Sequence, residues 1–117
     1  VKRFAGRPRR LAFLGTPDVA VPPLRALAAA GFEIVAAVTN VDKRRGRGND
    51  LVPSPVKRAA AELEIPVVHQ VDALLELDPL PDLGVVVAFG RLIKPHVLER
   101  LPMVNLHFSL LPRWRGA

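Results

Sequence analysis

Residues Val85–Phe89 (VVVAF), bounded by Gly84 and Gly90, are apolar without a break. The run is strand-length: a helix needs about 10–12 residues and a membrane span about 18 or more. A half-buried strand alternates apolar with polar, so an unbroken run predicts burial on both faces, the condition of a strand inside a parallel sheet. Parallel strands need crossover connections, usually helical, so the rest of the chain should alternate short apolar runs with helical segments.

It does. Leu11–Leu14 (LAFL), ending at Gly15, predicts a first strand, and Gly15-Thr16-Pro17-Asp18 predicts the turn after it. Pro22-Pro23 fits only a helix opening, where missing N–H groups cost nothing, and Gly31 is the natural stop of a helix over 22–30. Glu33–Thr39 (EIVAAVT) is the second predicted strand, followed by a basic glycine-containing loop that runs to Pro53. Ser54-Pro55 supplies a cap and a first helical residue for a helix reaching about Leu63, with Val56, Ala60 and Leu63 on one face. A short strand at 66–68 and one helical turn with a Pro-broken connection over 72–82 lead into the strand Gly84–Phe89. Pro95–Leu101 is a short helix and Met103–Phe108 a last strand. The expected fold is α/β, an open parallel sheet with helices on both faces, joined by right-handed crossovers.

Composition narrows the function. Without cysteine there is no disulfide scaffold, thiolate metal site or Cys nucleophile, which suits a reducing compartment and a cytoplasmic location. No apolar run is long enough for a membrane partner. The net charge of +6 is unevenly spread: five of the 17 Lys and Arg fall in residues 1–10, which hold no acid, leaving 12 against 11 elsewhere. Residues 1–10 are therefore expected to be a basic disordered tail and 11–117 a folded unit. One cluster remains inside that unit, Lys43, Arg44, Arg45 and Arg47, interleaved with Gly46 and Gly48. It reads either as a solvated loop or as a phosphate-contacting one, since Arg presents a planar fork to phosphate and Gly admits close backbone approach.

Reactive groups in open α/β sheets gather at the carboxyl ends of strands. The first such end lacks the G-x-G-x-x-G pattern, and there is no G-x-x-x-x-G-K-[ST] loop, H-x-x-x-H pair or acidic cluster suggesting a metal. In the last strand Asn105 and His107 lie two apart, so both side chains project from one face. An amide beside an imidazole can donate to a developing oxyanion and carry a proton near neutral pH. So short a pattern is equally compatible with two satisfied polar residues at a strand end. His69 and His96 carry no assigned chemistry.

The run Asn105-Leu106-His107-Phe108-Ser109-Leu110-Leu111-Pro112-Arg113-Trp114-Arg115-Gly116-Ala117 resembles the N-x-H-x-S-L-L-P-x-x-R-G signature of the folate-dependent formyltransferases. Gly15-Thr16-Pro17-Asp18, Gly46-Arg47-Gly48 with Pro53-Ser54-Pro55-Val56-Lys57, and Ala88-Phe89-Gly90 with Ile93 and Pro95 match the same family in order. The G-R-G…P-S-P-V-K segment is most similar to the branch that formylates methionyl-tRNA. The resemblance implies a Rossmann-like formyltransferase fold, of which this chain would be the amino-terminal part of the catalytic domain, lacking the remainder and a C-terminal barrel. It implies an enzyme, a monomer, that transfers a formyl group from 10-formyltetrahydrofolate to the amine of initiator methionyl-tRNA without a metal. In that frame His107 is the catalytic histidine and Asn105 the oxyanion donor, and the Asp partner of the histidine falls beyond Ala117. The 117 residues by themselves would then be inactive. Ser109, Leu110, Leu111 and Pro112 would line the folate site, bordered by Phe89, Gly90 and Leu92. Lys43, Arg44, Arg45 and Arg47 would meet tRNA. The alternatives are another 10-formyltetrahydrofolate enzyme acting on a small amine, or a non-catalytic remnant that binds folate or RNA.

Overall fold

The computed structural model describes residues 8–45 and 50–106. Five parallel strands, Arg10–Gly15 (β1), Glu33–Val38 (β2), Val67–Val68 (β5), Leu83–Val87 (β6) and Met103–Leu106 (β7), form one sheet in the order β5-β2-β1-β6-β7. Two further strands, Lys43–Arg45 (β3) and Asp50–Val52 (β4), pair antiparallel as a separate ribbon. The helices are Val21–Ala29 (α1), Pro55–Glu62 (α2) and Pro95–Arg100 (α3), with 3-10 turns at Asp18–Ala20 and Val71–Glu76.

Helices cover both faces, as expected from the parallel pattern. On one side Leu11, Phe13, Ala37 and Val85 pack with Leu24 of α1 and Val56, Ala59 and Ala60 of α2. On the other, Ala12, Leu14, Val38 and Val86 pack with Leu74 of the second 3-10 turn, Phe89 and Leu101. Alternate residues of one strand thus feed two cores, and both cores are apolar, so β1, β2 and β6 carry no polar alternation. None of the described helices is long and apolar enough to cross a membrane.

Local chemistry sets the boundaries. The Asp82 carboxylate accepts the backbone N–H groups of Arg9 at 2.8 Å and Arg10 at 2.9 Å, so β1 starts at Arg10, one residue before the predicted Leu11. The same two hydrogen bonds, with the Arg9 and Arg10 charges, hold its pKa below the usual carboxylate value. Gly31, at φ 98°, ends α1: its N–H reaches the Ala28 carbonyl and that of Phe32 the Leu27 carbonyl, a Schellman closure. β6 stops at Val87, two residues short of the predicted Phe89, because Ala88 turns to φ 51° and leaves extended geometry.

The predicted loop between the second strand and Pro53 is in part a hairpin. Lys43 faces Val52, Arg44 faces Leu51 and Arg45 faces Asp50 across β3 and β4. Consecutive cations read as solvated chain from sequence; backbone pairing between the strands is what orders them.

Candidate functional site at the sheet switch point

From β1 the chain steps outward to β2 and β5, then returns to the other side of β1 for β6 and β7. The reversal leaves a crevice at the carboxyl ends of β1 and β6, where ligands bind in open α/β sheets. A cavity of about 450 Å³ occupies it, lined by Val19 after β1, Val86, the Ala88–Arg91 segment after β6, and Asn105 and Leu106 of β7.

Asn105 is placed there by register. It pairs with Val86, which shares its face with Leu14 and the second core, whereas Val104 and Leu106 pair with Val85 and Val87 on the opposite face. The amide is exposed at the cavity, where a strand-borne group is more rigidly aimed than a loop-borne one. Phe89 and Gly90, expected from the sequence to border the same site, line this cavity with it. Leu92 does not: it is 83% exposed and lines a separate cleft with Gln70, Asp72 and Lys94. Gly90, at φ 76°, follows Phe89 as Ala88, at φ 51°, precedes it, and this paired left-handed geometry re-aims the chain so that the Phe89 ring turns back into the core. Left-handed backbone at a non-glycine residue is costly and concentrates at functional sites.

Close approach at the crevice depends on Gly15. A Cβ there would lie 2.6 Å from the Val87 carbonyl oxygen and 2.9 Å from the Ala20 Cβ. Only a residue without Cβ lets the first 3-10 turn, and with it Val19, fold over the end of β6.

Arg91 carries no signal in the sequence that marks it out, yet it organises this wall. Its guanidinium carbon stands 4.4 Å from the centroid of the Phe89 ring, and Nη1 donates to the His69 carbonyl at 3.0 Å. His69 in turn donates through Nδ1 to the Thr39 carbonyl at 2.9 Å, since a carbonyl can only accept. The ends of β2, β5 and β6 are thereby tied together. Arg91 Nε and Nη2 are buried without a partner, and the aromatic face offsets part of that desolvation.

The basic ribbon is seated beside this crevice by groups the sequence reading did not connect. Lys57 of α2 pairs with Asp42 at 2.9 Å, and Ser54 Oγ accepts the Lys57 N–H at 3.0 Å while bonding the buried Thr39 hydroxyl at 2.7 Å. The P-S-P-V-K motif is therefore an anchor for the ribbon as well as a helix start. Lys43 lines a cavity at its base, while Arg44 and Arg45 follow it along β3. Arg47, His107, Ser109, Leu110, Leu111 and Pro112 lie outside the described residues. Among the described residues no three His, Asp or Glu side chains gather as a metal site.

Comparison with known proteins gives this geometry a context. The formyl transferase family matches residues 9–117. A methionyl-tRNA formyltransferase of Heliobacterium modesticaldum is 50% identical over 117 residues, covering 92% of this chain and 36% of that protein. Those of Moorella thermoacetica and Pseudomonas fluorescens are 51% and 48% identical, over 92% and 94% of this chain and 37% of each relative. The chain thus spans little more than a third of the length of the curated relatives it matches.

Proposed function

The chain belongs to the formyl transferase family, and from that premise we propose that it is the amino-terminal part of the catalytic domain of a methionyl-tRNA formyltransferase. The parent enzyme moves the formyl group of 10-formyltetrahydrofolate to the α-amine of methionine on initiator tRNA, as a monomer in the cytoplasm. The observation that carries this reading is the amide of Asn105, aimed by β7 into the switch-point cavity.

The reaction is an acyl transfer. The amine lone pair adds to the formyl carbon and the carbonyl electrons move to oxygen. Collapse restores the carbonyl and breaks the bond to N10, which takes up a proton while the amine loses one. Asn105 donates an N–H to the oxygen as it becomes negative, which a preorganised amide does without reorganising solvent. His107, two residues further along the chain, carries the proton between the two nitrogens. The acid that orients this imidazole comes from outside this chain. The cavity suits a planar heterocycle: Val86 and Val19 supply apolar wall, and the irregular backbone of Ala88–Gly90 borders it. Ser109–Pro112 complete the folate site in this reading. Lys43, Arg44, Arg45 and Arg47 meet the phosphates of the acceptor stem.

In the full-length enzyme, Asn105→Ala should lower kcat for methionyl-tRNA by roughly 100–1,000-fold, the effect of one lost oxyanion donor. His107→Ala should do at least as much, with melting temperatures unchanged in both. Near-normal turnover by the Asn105 variant would refute the role. A wild-type enzyme that formylates a small amine and ignores methionyl-tRNA would replace the substrate assignment.

A further inference from the structure

A second cavity, of about 370 Å³, opens at the carboxyl ends of β1 and β2 between the Thr16–Asp18 turn, the base of the β3–β4 ribbon and the start of α2. The transfer chemistry does not use it. Its size lies within the range of small-molecule sites, about 300–1,000 Å³. Its lining carries three chemistries. Lys43 and Arg58 contribute cations from two different elements, both exposed and, among the described residues, neither in an ion pair; the nearby Asp42 is taken by Lys57. Val41, Val52 and Pro53 form an apolar wall, with Val41 61% exposed. Asp18 adds a carboxylate.

A simple anion would be repelled by Asp18, and an apolar ligand would leave two cations idle. A nucleotide satisfies all three: phosphate between Lys43 and Arg58, base against the apolar wall, ribose hydroxyl donating to Asp18. The cavity also adjoins the switch-point site. Thr16, Pro17 and Asp18 line it, and the next residue, Val19, lines the cavity that holds Asn105. We propose that this cavity seats the 3′-terminal nucleotide of the aminoacylated strand, so that the acyl group on its ribose passes over the Asp18–Val19 step toward Asn105. The assignment rests on the reading of the substrate as methionyl-tRNA.

Arg58→Ala in the full-length enzyme tests it, because an exposed helix residue can be truncated without disturbing the core. The KM for methionyl-tRNA should rise about tenfold or more, as for one lost charge-assisted phosphate contact, with kcat and the KM for the folate unchanged. The slope of log KM against log salt should fall by about one, and Arg58→Lys should recover most of the affinity. Adenosine 5′-monophosphate, as a competitive inhibitor of methionyl-tRNA, should lose a similar factor in the Ala variant. An unchanged KM overturns the proposal. So does a KM effect with no matching loss of inhibition by the mononucleotide, or a wild type that the mononucleotide does not inhibit at millimolar concentration, because Arg58 would then touch the stem and not its terminus. Failure of the underlying reading is distinct: the wild type itself would not formylate methionyl-tRNA.

Discussion

Replacing Ser54 with Ala removes one oxygen that serves two structures. As N-cap of α2 it accepts the Lys57 N–H at 3.0 Å, and loss of such a cap costs about 1 kcal/mol. The same oxygen bonds the Thr39 hydroxyl at 2.7 Å, and Thr39 is fully buried. Without Ser54 the Thr39 hydroxyl keeps only Thr16, at 3.4 Å, too long to be a full replacement. An under-satisfied buried hydroxyl adds roughly 1–2 kcal/mol, so the variant should lose about 2–3 kcal/mol in urea unfolding of the full-length protein. Two further variants separate the contributions. Ser54→Gly keeps most of the cap and should cost mainly the Thr39 part. Thr39→Val removes the partner hydroxyl while keeping its shape, and the double variant with Ser54→Ala should be more stable than the sum of the singles predicts, by about 1 kcal/mol. Since Ser54 also stands at the base of the basic ribbon, the KM for methionyl-tRNA should rise in Ser54→Ala while that for the folate stays. A loss below about 0.5 kcal/mol, or strict additivity with Thr39→Val, would refute the assignment of two roles to one oxygen.

Gly15→Ala should destabilise by about 1–3 kcal/mol, because the added Cβ meets the rigid Val87 carbonyl and Ala20, and should weaken folate binding as the crevice is pushed open; a neutral variant in denaturant unfolding would contradict the close packing of the first turn on β6. Asp82 has its pKa lowered by the Arg9 and Arg10 N–H groups, so its stabilisation is fully present above the unfolded value near pH 4 and is lost as pH falls through the lower folded value. The stability gap between wild type and Asp82→Asn should therefore stay constant from neutral pH to about pH 5 and close below about pH 4, and a gap that instead opens in acid would reverse the sign of the argument.

What could be read locally was read with small errors. The strands at Leu11, Glu33 and Val85 and the helices opened by Pro22-Pro23 and Ser54-Pro55 follow from burial pattern and capping, which act over a few residues. Their ends drifted where a distant partner decides them, as Asp82 does for Arg10. Phe89 fell outside its strand because a left-handed Ala88 has no sequence signature. The β3–β4 ribbon was read as loop for a related reason: Lys43, Arg44 and Arg45 have neither apolar alternation nor β-branching, and their order comes from pairing with Asp50–Val52.

The candidate site divides the same way. Asn105 and His107 could be singled out because strand periodicity and a long signature are properties of contiguous residues, and the family follows from that signature. That Phe89 and Gly90 join Asn105 while Leu92 turns away depends on how two strands far apart in the chain end side by side. The strap from Arg91 through His69 to Thr39 and the bond from Ser54 to Thr39 likewise join residues that approach only once the sheet is assembled. The residues by themselves determined which elements form and what chemistry one of them presents, because hydrophobic period and side-chain type are written locally. Only the tertiary structure decided the strand order, the switch-point crevice and the second cavity beneath the ribbon, because each arises from contacts between segments whose spacing along the chain carries no trace of their proximity.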